Sequence, residues 1–159
     1  MNLNSGSLLR LQFLARVVAK ECKHLATTNQ RLFADALTLL KIKNLENDIE
    51  LAERVEAFVG RFGRLQDTVG DKLLPALLAT LGEKTSSMVD NLGKAERLSF
   101  IQSAEAWMVI RNLRNQMVHE YVEDMLILHE ALNKGHEFVP VLIEASNSMI
   151  AEIEKRGWK

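Results

Sequence analysis

The stretch Asp48–Leu78, "DIELAERVEAFVGRFGRLQDTVGDKLLPALL", decides how the rest of the chain is read. Ile49, Ala52, Val55, Val59, Phe62, Leu65, Val69 and Leu73 recur at intervals of three and four. That period puts them on one face of an α-helix and is incompatible with the period of two of a strand. Asp48 is suited to cap the first turn, because its carboxylate can accept from the amides left unpaired there. A helix of seven or more turns is predicted, long enough to be the spine of a domain. Pro75 lies inside the pattern and has no amide hydrogen to donate, so a kink or break is expected near residue 74. The segment after it should end at Gly82.

Outward from the spine the same spacing recurs, and the fold class predicted is all-α. Helix one is expected over about 7–27, with Leu8, Leu11, Leu14, Val18 and Leu25 on one stripe and the polar "TTNQ" after it. A second helix is expected over 30–45. Beyond the spine come a short helix over 86–98, a helix over 103–120 opened by Ser103, and two more over 122–133 and 137–156, separated by "NKGHE". Short connections favour antiparallel neighbours, hence an up-and-down antiparallel bundle. No repeat and no Pro/Gly/Ser linker interrupts it, so residues 1–159 are read as a single domain.

Composition agrees with this. Hydrophobic residues make up 47% and charged residues 26% of 159, with only ten Gly and Pro together, which excludes disordered and collagen-like classes. A chain of this length can bury roughly 70% of its unfolded surface without covalent staples. The one cysteine, Cys22, cannot form an intramolecular disulfide, and there is no CxxC or Cys/His cluster, which fits a reducing cytoplasm. Arg10, Gln12, Arg16 and Lys20 interrupt the N-terminal apolar pattern, so no signal peptide is expected. "LLPALLA" is far short of the roughly 20 residues a membrane crossing needs. Net charge is −1, yet residues 1–43 hold seven Lys/Arg against Glu21 and Asp35. A basic surface and an ordinary solvated helix face account for that bias equally well.

Chemistry concentrates in "VIRNLRNQMVHEYVED", Val109–Asp124. At about 100° per residue, Ala106, Ile110, Leu113, Met117 and Tyr121 form one stripe, with Trp107 and Val118 at its edge and Arg114 inside it. A guanidinium directed at a core needs a carboxylate, a carbonyl, a wet cleft or a bound anion. A structural ion pair with another helix or subunit is one solution, and a phosphate site is another. Asn115 and His119 are four apart and adjacent, with Arg111 four before Asn115. His119 has a side chain whose ordinary titration lets it act as acid or base near neutrality. Arg114 and His119 are about 140° apart on an ideal helix. A helix end, the reach of Arg or a second chain would have to unite them.

"RNQMVHEY" has the form R-x4-H-x-Y and resembles the signature of HEPN-domain proteins, specifically the HepT-like toxins encoded beside minimal nucleotidyltransferases. "RFGRLQDTVGDKLLPALL" on the preceding long helix is similar to a segment of the same subgroup, and the N-terminal helix over about 7–27 would be an addition to its compact members. The resemblance implies a homodimer of helical bundles whose motifs line a shared cleft, and metal-independent endoribonuclease activity with no cofactor. On that reading Arg114 and His119 are catalytic, Asn115 orients phosphate or imidazole, and Tyr121 is the residue to which a nucleotidyltransferase antitoxin transfers AMP. The alternative for Tyr121 is a core tyrosine closing the stripe.

Gly60, Gly63 and Gly70 with Arg61 and Arg64 suggest a phosphate loop, but the hydrophobic period runs straight through them. Close helix approach at Gly60 and Gly63, with Arg64 and Asp67 paired at i,i+3, is the simpler expectation. Arg61, Arg64 and Arg111 are candidate RNA-positioning charges. His24, His129 and His136 stand apart, and no spacing suggests a metal site. From another class comes the alternative of a non-catalytic partner that binds nucleotide or presents substrate to a nucleotidyltransferase. Glu120, Glu123 and Asp124 beside the motif oppose phosphate binding there.

Overall fold

The computed structural model describes residues 5–120 and 123–158, the side chain of Glu120 excepted. Among the described residues the chain is helical and has no strand, an arrangement compatible with a helical bundle. Tyr121 lies outside the described residues.

Helix α1 runs Ser5–Leu32 and buries Leu11, Leu14, Val18, Cys22, Leu25, Thr28 and Leu32. It continues through "TTNQ", where it was expected to stop, because those polar groups find partners. Thr28 is buried with its hydroxyl at the Arg61 guanidinium, and Asn29 Oδ1 lies 2.7 Å from His136 Nδ1. The second helix expected over 30–45 is reduced to α2, Leu39–Lys43, capped by Thr38. The preceding strap is held down by the buried Leu37, whose carbonyl accepts from His129 Nε2 at 3.0 Å and from Asn133 Nδ2 at 3.2 Å.

The spine begins as expected, with Asp48 Oδ1 accepting from the Leu51 amide. Helix α3 spans Ile49–Asp67, and its buried face includes Val55, Phe58, Phe62 and Leu65, while Ile49 at the first turn is exposed. The chain does not break before Pro75. Instead Thr68–Leu73 widens into a π-helical segment, in which the Leu74 amide reaches back five residues to the Val69 carbonyl. Pro75 then falls in the first turn of α4, Leu74–Thr80, where its missing amide hydrogen matters least. Gly82, at φ 82°, ends this helix, with the Glu83 amide closing on the Leu78 carbonyl.

Helix α5 is Met88–Arg97, capped by Ser87, and α6 is Ala104–Glu120, where Ser103 Oγ accepts from the Ala106 amide at 3.1 Å. The two helices expected over 122–133 and 137–156 are one, α7, Met125–Lys155. The glycine of "NKGHE" marks a close approach and not a stop: a β-carbon on the buried Gly135 would collide with Met117 Cε and meet Phe58 at 3.5 Å. Helix α6 lies along α7, α1 packs mainly on α3 and α7, and α3 touches α6. A contiguous apolar cluster takes in Leu25, Phe58, Phe62, Trp107, Ile110, Leu132 and Met149. Each such side chain contributes about 1.5–3 kcal/mol through removal from water. The spine and α6 therefore meet in a fixed register, which sets the geometry of the site.

Candidate functional site

The stripe of α6 that faces the core is Trp107, Ile110, Leu113 and Met117, all nearly or wholly inaccessible. Trp107 is buried with this stripe, whereas Ala106 is half-buried and Val118 exposed. Arg114, half-buried, lies between the directions of Ile110 and Trp107 on this face. Its hydrocarbon stem crosses the spine at Gly63, where a β-carbon would sit 3.3 Å from Arg114 Cγ and 3.5 Å from Nε. The absent side chain at Gly63 gives the stem its passage. Gly60, by contrast, has open space around it and serves no close approach.

Arg114 Nη2 donates to Asp67 Oδ2 at 3.1 Å, and Nη1 donates to Asn115 Oδ1 at 3.3 Å. Nε is buried against the spine without a hydrogen-bond partner. Asp67 thus pairs with α6 and not with Arg64 one turn earlier on its own helix, as the i,i+3 spacing had suggested. The ion pair is partly open to water, with side-chain exposures of 31% for Arg114 and 43% for Asp67. The charged head rests in a cleft of about 370 Å³ between α3, the π segment and α6. Arg64 and Lys72 also line it, with Gly63, Thr68 and Val118.

His119 is exposed in the last turn of α6, just before the helix ends at Glu120. Among the described residues no hydrogen bond joins it to Arg114, and it does not line the Arg114 cleft. Asn115 is exposed and tied to Arg114, whereas Arg111 is half-buried on the same helix and lies outside the cleft. Arg61 is directed elsewhere. Its Nη1 donates to the His24 carbonyl at 3.2 Å and to Thr28 Oγ1, joining the spine to α1. Of the two spine arginines proposed to position RNA, only Arg64 shares the cleft with Arg114.

No family model, curated protein or solved structure matches this chain.

Behind the cleft, Glu21 of α1 reaches the π segment, with the Thr68 hydroxyl 3.1 Å from its Oε1. Burial pushes the Glu21 carboxyl above its ordinary value, and the Thr68 hydrogen bond and the positive Arg64 and Lys72 oppose that only in part. Asp67, Lys72 and Glu21 are the members of this constellation that the sequence reading missed. The i,i+3 spacing directed Asp67 to Arg64, and Lys72 could be placed only once the π segment was known. Two of the remaining histidines have structural work: His129 holds Leu37, and His136 stacks on Phe33 with ring centroids 4.1 Å apart. No group of three or more His, Cys, Asp or Glu among the described residues is arranged to hold a metal ion. No helix among them is long and apolar enough to cross a membrane.

Proposed function

We propose that the chain is a metal-independent endoribonuclease of the HEPN, HepT-like type, acting as the toxin of a toxin–antitoxin pair in the cytoplasm. The observation that carries this reading is the state of Arg114. Its stem passes over Gly63, its head is held by Asp67 in a cleft, and His119 stands exposed little more than one turn further along the same helix. A pre-positioned guanidinium stabilises charge that develops on a phosphate, and an imidazole nearby can move protons. In the proposed reaction His119 takes the proton of a ribose 2′-OH or delivers one to the departing 5′-oxygen. The 2′-oxygen attacks the adjacent phosphorus, the bond to the 5′-oxygen breaks, and a 2′,3′-cyclic phosphate remains. Because the nucleophile is internal, no metal-bound water has to be generated.

Arg114 and His119 lie on different sides of one straight helix, which favours a homodimer in which each chain completes the other's cleft. An up-and-down order of the long helices in one domain would suit that pairing. A minimal nucleotidyltransferase is the proposed antitoxin, with AMP transfer to Tyr121 placing negative charge beside the motif. The test is incubation of wild type and His119→Ala with RNA in EDTA, reading cleavage and end chemistry.

One observation favours a second reading. Asp67 already occupies one edge of the Arg114 guanidinium, as a structural pair would. A non-catalytic partner that holds a nucleotide or substrate for a nucleotidyltransferase would need only the phosphate-binding part of the cleft. It would bind the partner enzyme normally and show no cleavage for His119→Ala to remove.

A further inference from the structure

The π segment changes which spine residues face α6. On an uninterrupted α-helix Lys72, eight positions after Arg64, would be rotated about 80° away from it. One extra residue accommodated in a widened turn takes back about 100°, which returns Lys72 to within about 20° of the Arg64 line. Arg64 and Lys72 accordingly line the same cleft as Arg114. Among the described residues neither of the two forms a salt bridge; their influence on Glu21 is electrostatic only. Three cationic side chains thus share the cleft with one carboxylate, Asp67.

Their spacing narrows the ligand. Arg64 and Lys72 are two turns apart, roughly 11 Å of helix rise. Side chains of this length, rooted two turns apart on one cleft wall, can bring their charges to successive phosphates of one strand, so negative charge repeated along a chain suits the pair. We infer that the Arg64–Lys72 edge of the cleft is a backbone-binding groove for single-stranded RNA, leading phosphates that flank the reacting one past Arg114. The inference rests on the ribonuclease reading for the identity of the polyanion and adds Lys72 and the π register to it. Lys72 is a positioning residue and does not touch the reacting atoms.

The test uses the full chain and a fluorescent 2′-O-methyl oligoribonucleotide, which has no free 2′-OH and cannot be cleaved by this route. Binding is measured by anisotropy across a salt series for wild type, Lys72→Gln, Arg64→Gln and the exposed control Lys155→Gln. Both Lys72 and Arg64 are exposed, and thermal melts verify that the variants fold. Each cleft variant is expected to lower the slope of log K against log salt by about 0.7 and to weaken binding about fivefold near 0.1 M salt. Lys155→Gln should match wild type. Failure of wild type to bind, or binding by Lys72→Gln and Arg64→Gln equal to wild type, overturns the groove. Cleavage of unmodified RNA reports separately. Normal cleavage with unaffected variants sinks the groove and leaves the nuclease standing, whereas weakened variants with no cleavage by wild type keep the groove and sink the nuclease.

Discussion

Arg114 of α6 donates to Asp67 of the spine across 3.1 Å, and this pair couples the motif helix to the cleft it faces. Partial exposure limits its worth to stability, about 0–1 kcal/mol. Its larger effect is electrostatic, because Asp67 repels any phosphate that approaches Arg114. Asp67→Asn is therefore expected to shift the melting temperature by no more than about 4 °C. The same variant should bind a non-cleavable oligoribonucleotide about fivefold more tightly, as befits removal of roughly 1 kcal/mol of repulsion. Thermal melts and anisotropy check the two halves. Weaker binding by Asp67→Asn would mean that the carboxylate's main task is to hold Arg114 in place.

Gly63 and Gly60 look equivalent in sequence, yet only Gly63 meets the Arg114 stem. Alanine at either position gains up to about 1 kcal/mol of helix propensity over glycine. At Gly63 the new methyl, 3.3 Å from Arg114 Cγ, must push the arginine aside by a few tenths of an ångström. Gly63→Ala should leave stability within about 1 kcal/mol of wild type and slow RNA cleavage about tenfold, since misplacement of that order is costly to a positioned group. Gly60 also lines the cleft, but a β-carbon there meets nothing within 4 Å, so Gly60→Ala should be at least as stable as wild type, leave Arg114 in place and cleave faster than Gly63→Ala. Equal cleavage by the two variants would remove Gly63 from the account of the site.

Glu21 gives a pH signature. Its carboxyl is raised in the fold, so between its ordinary value and the raised one the native state binds more protons than the unfolded chain. Stability from this group therefore falls as pH rises through that window, and the loss is complete above it. Glu21→Gln imitates the neutral form and retains an oxygen for the Thr68 hydroxyl. The variant should be more stable than wild type at neutral pH, with the difference vanishing as pH falls below the ordinary glutamate value. Denaturant unfolding at a series of pH values reads this directly. A difference independent of pH would assign the effect to packing.

The all-helical class was legible because nearly every segment carries apolar residues at three and four, and the Asp48 and Ser103 caps mark two helix starts correctly. Residues commonly taken as breakers misled where tertiary partners absorb them. Thr28 and Asn29 continue α1 because Arg61 and His136 meet them, and Gly135 admits Met117 without ending α7. Pro75 is accommodated by a π turn, which no period in the sequence announces. The same turn hid Lys72 from the site reading, since helical arithmetic puts it on a different face from Arg64. The need of Arg114 for a partner was readable from its place inside the apolar stripe. The identity of that partner was not, because Asp67 has an equally plausible neighbour on its own helix.

The proposal as a whole stands on His119 and Arg114 acting on the ribose–phosphate backbone. The most direct measurement is digestion of total tRNA and mRNA in EDTA by purified wild type and His119→Ala, with chemical analysis of the new ends. His119 is exposed in the last turn of α6, so its replacement should change stability by no more than about 0.5 kcal/mol. The account predicts cleavage by wild type alone, leaving 2′,3′-cyclic phosphates. Identical behaviour of the two proteins, whether both cleave or neither does, would contradict it.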